Sequence, residues 1–490
     1  MKLIYGVSDR PSFGKIIVFA FQQMIAIMAA TLLVPMIISS QGLTMDPAAA
    51  LFGAGIGTLV YIVCTKRKSP VFLGSSFTFL SAMGAAAAQN YGYWGLIIGV
   101  VFAGAVYLII SLIIRFVGTN WLNKLLPAVI IGPIVAIIGL SLSSTATSWL
   151  MTNNTENYNL LSIFCGLISF FVIVITSVKG TKTLKLIPFI IGIGAGYVVA
   201  LIFTLIGQAA NIEYMQLLDF TPFKNAFGKL TFESFLALPD FTFLMGIQHG
   251  SEYAPIDGVA IGNLALLFAP IGIVELAQHI ADHKNLGTII EKDLIKDPGL
   301  SNTLLGDGLG SIVGAFFGGC ANTTYGESVG CVAITKNASI ITIICAAIGC
   351  MILSFFTPFV AVIESIPKCV MGGACVALYG FIAVSGLQML KEVDLGDNRN
   401  LFVVSAILVC GIGGLALNFG TNKMTGGALL SITSIATALI VGILTNIFVN
   451  IGRNDEDENE KDGLSANVST IDENTTSFSE NEPENSDSEE

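Results

Sequence analysis

The chain is short of charge: 12% of its 490 residues are Asp, Glu, Lys or Arg, about half the share of a soluble domain. A surface so poor in charge cannot be wetted all round, which excludes an ordinary soluble globule. Histidine is scarce too. The three present, His249, His279 and His283, show no metal-ligand set and no nucleophile beside them. The nine cysteines include no CxxC pair, and Cys64, Cys165, Cys345, Cys350 and Cys410 fall in apolar runs. They read as small buried hydrophobes rather than disulfides or ligands. No metal, no cofactor and no nucleic-acid partner is expected, and an enzyme is not the reading these residues favour.

Apolar sequence is abundant. Hydrophobic residues make up 53% of the chain, in repeated runs long enough to cross a hydrocarbon core of roughly 30 Å as helices. The first, Lys15 to Ser39, is too long and too often repeated downstream to be a secretory signal. The net charge of -11 is local. From Asn454 onward lie fourteen acidic residues and one lysine, and the body before them is about neutral. The segment 451–490 is expected to be a disordered, acidic, cytoplasmic tail.

Fourteen crossings are expected, near 15–38, 48–65, 71–90, 94–116, 126–143, 159–178, 187–207, 263–283, 303–319, 321–336, 338–362, 369–389, 401–419 and 428–449. With the N-terminus inside, nineteen of the 23 Lys and Arg fall on the cytoplasmic side, and Lys224, Lys229, Lys368 and Lys423 fall outside. Dropping one whole span would scramble this split. The reading is therefore an all-α polytopic protein of the cell membrane with both termini cytoplasmic. The long external loop, 208–262, would lie on the membrane surface or cap the outer mouth.

Two crossings begin badly for helices. The third opens Pro70-Val71-Phe72-Leu73-Gly74-Ser75-Ser76-Phe77, and the tenth Cys320-Ala321-Asn322-Thr323-Thr324-Tyr325-Gly326-Glu327. Small, hydroxylated and β-branched residues are poor helix starters. The apolar stretch after each spans only about half a bilayer at roughly 1.5 Å per residue. Irregular backbone survives at membrane depth only inside protein or beside a cavity. Short, interrupted spans at matching places in two halves point to a midplane binding site. Each is third in a set of seven, so the second set is inserted upside down. Two helix N-termini would then meet near the centre, ready for a polar ligand. The competing reading is that Gly74 and Gly326 merely allow close helix packing.

Polar groups at membrane depth mark pathways or proton relays. Gln278 and Asp282 are four apart and share a helix face, and Glu275 lies a turn deeper. Glu327 starts the half-span after Gly326, where a carboxylate can accept from ligand N–H groups or take up a proton. His283 and Lys284 are expected to reach the interface.

With these residues in view, the chain resembles the uracil/xanthine permeases, the bacterial branch of the nucleobase–cation symporter and nucleobase–ascorbate transporter family. The likeness runs from Tyr5-Gly6-Val7-Ser8-Asp9-Arg10-Pro11 to about residue 450. It is carried by Leu73-Gly74-Ser75-Ser76-Phe77, His279-Ile280, Lys292-Asp293-Leu294, Asp297-Pro298-Gly299-Leu300 and Asn322-Thr323-Thr324-Tyr325-Gly326-Glu327. The resemblance implies two inverted seven-span repeats with short strands in spans three and ten. It implies a core domain over 1–116 and 263–362 and a gate domain over 117–207 and 363–450. It implies a pyrimidine between the strands, with Ala30 and Phe77 against the ring, and Gly326, Glu327 and the span-eight polar residue at its edge. A homodimer through the gate, set in membrane lipid, is a further implication. One departure stands out. The Glu-His-Ile-Gly-His typical of the uracil branch, Glu-His-Ile-Gly-Asp in other members, is Gln278-His279-Ile280-Ala281-Asp282 here. An amide can pair with an imide edge but cannot take a proton. Coupling would fall to Asp282, Glu327 or Glu275.

The expected activity is thus import of uracil by proton symport with alternating access. Rivals are a xanthine or other base permease coupled to protons or sodium, and a receptor that binds a nucleobase without moving it. Anion exchangers of this architecture would favour basic residues at the half-span ends, and none is present.

Overall fold

The computed structural model describes residues 3–119, 121, 126–153, 157–181, 184–421 and 428–451. The expected tail lies, beyond Ile451, outside the described residues. Among those described, eight helices are long and apolar enough to cross a membrane, and four shorter apolar helices accompany them.

The chain opens with α1 (Phe13–Ser40) and α2 (Pro47–Cys64). Then come the strand β1 (Leu73–Ser75), a 3-10 turn at Phe77–Phe79, the short α3 (Leu80–Ala88) and α4 (Gly92–Val117). Next are α5 (Ala128–Ser141), α6 (Ser143–Met151), α7 (Leu160–Lys179) and α8 (Pro188–Ala210). The loop that follows holds α9 (Thr221–Phe227) and α10 (Thr242–His249).

The second half begins with α11 (Gly258–Ile290), then α12 (Leu300–Gly318), strand β2 (Asn322–Thr324) and α13 (Gly326–Thr335). It continues with α14 (Ile340–Leu353), α15 (Thr357–Glu364), α16 (Lys368–Met389) and α17 (Asn398–Ile412). Strands β3 (Leu417–Thr421) and β4 (Ala428–Ile432) precede α18 (Ser434–Asn450).

Packing sorts these helices. α2 lies along α12 and α14, and α4 along α12 and α11; α16 lies along α5, α6 and α7, and α17 along α18 and α5. The α2–α12 contact is made by glycines. A Cβ on Gly57 would sit 2.7 Å from the Gly310 carbonyl oxygen, and one on Gly310 would sit 2.8 Å from that of Gly57. Without side chains the two backbones approach closely, as small residues permit in membranes.

Several expected boundaries need correction. The expected span 263–283 is a 33-residue helix. It begins earlier because Asp257 caps it, accepting from Ala260 N at 2.8 Å. It ends later, where Glu291 turns left-handed at φ 55°. The expected span 338–362 is two helices, α14 and α15, separated at Ser354–Phe356 with Pro358 in the first turn of the second. The expected span 401–419 stops at Ile412, where Gly413 and Gly414 (φ 74°) end the helix and a strand follows. Span 428–449 starts as β4 and becomes helical only at Ser434, after the Thr433 cap.

Candidate functional site

The site is built around two three-residue strands. β1 and β2 pair antiparallel, with Leu73 opposite Thr324, Gly74 opposite Thr323 and Ser75 opposite Asn322. Every residue of both strands is buried, so their outer backbone groups need partners from neighbouring helices. Thr58 Oγ1 of α2 accepts from Leu73 N at 2.9 Å. Ser328 Oγ accepts from Phe72 N at 2.9 Å, and also takes a short hydrogen bond from the Gln23 amide of α1. On the other edge, the Ser311 hydroxyl donates to the Asn322 carbonyl. The Asn322 amide donates to Gly53 O at 2.9 Å. Gly74 lies beneath the Tyr325 ring, which a Cβ there would strike. The Tyr325 hydroxyl donates to Ser75 O at 2.6 Å.

Behind each strand stands a short helix, nine residues in α3 and ten in α13. Each reaches about half-way across a bilayer. At the start of α13, Gly326 is exposed although residues 321–325 are all buried. A Cβ on Gly326 would meet nothing nearer than Asp282 Oδ1 at 3.9 Å. This glycine therefore borders open space and is not a packing contact; Gly74 is one. The two glycines that a packing argument would treat alike do different things.

The carboxylates come from α11 and α13. Asp282 Oδ2 accepts from the Thr324 hydroxyl at 2.9 Å, which fixes α11 to β2. Glu275 is buried, and its Oε2 accepts from Ser76 Oγ at 3.3 Å, which fixes α11 to the end of β1. Glu327 is half-buried, beside Gly326. Glu275 and Glu327 both stand within electrostatic range of Asp282. Gln278, half-buried, lies one turn before Asp282. Phe77 is buried, its ring edge-on to Tyr379 of α16 at 5.9 Å between centroids. Ala30 is buried in α1 next to Thr31, whose hydroxyl lies over Gly74. The structure thus joins Glu275, Asp282, Gly326 and Glu327 around the strand pair. It sets Phe77 against a different helix group, and among the described residues the Gln278 side chain makes no hydrogen bond and Ala30 packs within the core.

The adjoining face of α11, one turn on from Glu275, carries a network that the sequence reading missed. His279 Nδ1 lies 2.6 Å from Asp307 Oδ2, and Nε2 lies 3.0 Å from Thr303 Oγ1. The Thr303 hydroxyl proton is directed to Leu300 O at 3.0 Å. Its oxygen therefore accepts, and Nε2 must be the donor. One proton then lies between Nδ1 and Asp307, whichever of the two holds it. One turn on, His283 Nδ1 donates to His279 O at 2.7 Å, and Nε2 meets the Tyr61 hydroxyl at 2.6 Å. The Tyr61 hydroxyl also lies 2.8 Å from Ser69 Oγ. His283 therefore does not reach the interface as expected. It is 1% exposed, because α11 runs seven residues past it. Lys284 is exposed. Asp307, a carboxylate in an apolar glycine-rich stretch, was detectable by the rule that flagged Asp282.

Comparison with known proteins agrees with this architecture. A model of the xanthine/uracil permease family, described as a permease family, matches residues 14–420. The chain is 34% identical over 453 residues to a uracil permease of Bacillus caldolyticus, covering 91% of this chain and 95% of that one. It is 35% identical over 454 residues to that of Bacillus subtilis (strain 168), with 91% and 95% covered. It is 34% identical over 445 residues to that of Escherichia coli (strain K12), with 90% and 94% covered. In fold it is similar to the transmembrane domain of the cyanobacterial bicarbonate transporter BicA, with a TM-score of 0.58 at 12% identity over 90% of this chain and 100% of that one. It is also similar to the murine Solute Carrier 26 family member A9 anion transporter, with a TM-score of 0.56 at 11% identity over 91% and 69%. With a family match over most of its length and relatives above 30% identity, the chain is a multi-pass membrane transporter, not an enzyme, and belongs to the xanthine/uracil permease family.

Proposed function

We propose that the chain imports uracil across the cell membrane by proton symport, through alternating access. The observation that carries this reading is the open space at Gly326. It sits at a half-helix N-terminus, bordered by Asp282 and next to Glu327, directly after five buried residues. A helix N-terminus offers N–H groups and a positive dipole end to ligand carbonyls. Carboxylates accept from ligand N–H groups, and the Gln278 amide does both. A planar imide such as uracil presents that mixture of donors and acceptors. The uracil permeases above supply the substrate class. The acidic rather than basic lining, from Glu275, Asp282 and Glu327, favours a neutral base over the anions carried by the structural neighbours.

On this reading the fourteen crossings form two inverted repeats of seven. Residues 1–116 and 263–362, with α1–α4 and α11–α15, are the core, and residues 117–207 and 363–450, with α5–α8 and α16–α18, are the gate. The basic loops face the cytoplasm, and Phe77 stacks on the ring. Gln278 cannot carry a proton, so coupling rests with Asp282, Glu327 or Glu275. Rocking of the gate against the core exposes the base to either side. The test is labelled uracil uptake by proteoliposomes with competing xanthine. Uracil flux that xanthine leaves untouched supports the assignment; flux of xanthine alone overturns it.

A further inference from the structure

Asn263, in the second turn of α11, is fully buried, and its side chain holds three elements together. Its Oδ1 accepts from the backbone N–H of Ser431 in β4 at 2.8 Å. Its Nδ2 donates to Gln89 Oε1 through a short hydrogen bond and to the Tyr91 hydroxyl at 3.2 Å. Gln89 is the C-cap of α3, the half-helix that follows Phe77. Ser431 belongs to the β3–β4 hairpin that joins α17 to α18, and β4 packs on α11.

The Ser431 N–H is spent on Asn263 rather than on β3. Its hydroxyl donates to the Asn418 side chain across the hairpin at 2.9 Å. A buried amide with both ends engaged fixes distance and orientation at once. On the functional reading above, Asn263 and Gln89 belong to the core and Ser431 to the gate. All three lie at the end of the molecule opposite Lys66–Lys68, which is the outer end on that reading.

We infer that Asn263 is a positioning residue of the transport cycle, an outer latch that holds the gate hairpin on the end of the substrate half-helix and releases it when the outer cavity opens. The inference rests on the alternating-access reading. A latch of this kind biases the equilibrium toward the outward-closed form, so external substrate must first work against it.

The specific test is Ser431→Pro. Proline deletes the N–H that Asn263 accepts, which the hairpin ladder does not use, together with the hydroxyl bonded to Asn418; Ser431→Ala, which removes the hydroxyl alone, is measured beside it as the reference. Uptake of external labelled uracil by proteoliposomes is measured over a concentration series, with thermal unfolding alongside. The latch predicts a KM lower by roughly three- to tenfold, the effect of about one hydrogen bond, with a reduced kcat and an unchanged Tm. Unchanged KM overturns it, and so does a lower Tm with fewer active molecules at the parental KM. A second variant reads the opening directly. Asn263→Cys with Ser431→Cys, bridged by a short thiol crosslinker, should lose uptake and recover it on reduction of the bridge. Full uptake while bridged would show that this contact never opens. Parental protein that carries no uracil would count against the transport assignment, not the latch; the crosslink is then scored with whichever labelled base the parent carries.

Discussion

The Thr324 hydroxyl donates to Asp282 Oδ2 at 2.9 Å, from the last residue of β2 to a carboxylate on the face of α11 that borders Gly326. Thr324 is fully buried, so a variant without the hydroxyl leaves that oxygen short of a donor. A hydrogen bond to a charged group is worth about 1.5–3 kcal/mol. Thr324→Val should therefore lower initial uracil uptake roughly tenfold or more, and Thr324→Ser should keep most of it. Parental uptake by the valine variant would show that Asp282 is not held for transport by this bond.

The two site glycines should respond oppositely to one methyl group. In Gly326→Ala the Cβ enters open space 3.9 Å from Asp282 Oδ1. The protein should fold with an unchanged Tm but bind uracil at least about tenfold more weakly, since the methyl occupies ligand space. In Gly74→Ala the Cβ strikes the Tyr325 ring. That variant should lose about 1–3 kcal/mol from overpacking and yield little monodisperse protein. Size-exclusion profiles and uracil binding, measured together, check the pair.

The His279–Asp307 pair predicts a stability effect rather than a simple affinity effect. Both side chains are fully shielded from solvent. His279→Phe takes from Asp307 Oδ2 its imidazole partner, and removing one member of a buried pair costs about 3–5 kcal/mol. Thermal unfolding in detergent should show a clear fall in Tm. An unchanged Tm would mean that the pair does not brace α11 against α12.

Asp46 offers a test outside the membrane-spanning segments. Its Oδ1 caps α2 through Ala48 N at 2.7 Å, and its Oδ2 holds Asp240 N at 2.8 Å. Asp46→Ala should cost about 1–2 kcal/mol; Asp46→Asn retains a cap and should cost less. Burial pushes the Asp46 carboxyl above its usual range, against the pull of its backbone donors. The folded protein thus binds this proton more readily than the unfolded chain, and the contribution to stability falls as pH rises through that range. The asparagine variant should gain on the parent in Tm as mildly acidic buffer is brought toward neutral. A gap that does not change with pH would contradict this.

Much of the architecture was legible because lipid imposes length. Apolar runs marked the long helices, and the poor helix formers around Leu73–Phe77 and Asn322–Glu327 marked where the chain is not helical. The four-residue spacing of Gln278 and Asp282 put them on one face. Other features had no local signature. The β3–β4 hairpin is hidden because residues 415–419 and 428–432 are apolar but for Asn418 and Ser431 and run on into helical sequence, and a short apolar run does not declare its period. The burial of His283 depends on caps at Asp257 and Glu291, well away from it. Its partners Tyr61 and Ser69 lie more than 200 residues away. Asn263 reads as an ordinary polar residue near a helix start until the hairpin is seen lying against it.

The most direct test of the central claim is uptake of labelled uracil into proteoliposomes, with and without an inward proton gradient, for the parent and for Glu327→Gln. The account predicts accumulation that needs the gradient in the parent and is lost in the variant, with the variant still folded. Uptake in the parent that ignores the gradient would contradict proton coupling, and no uracil flux under any gradient would contradict the substrate assignment itself.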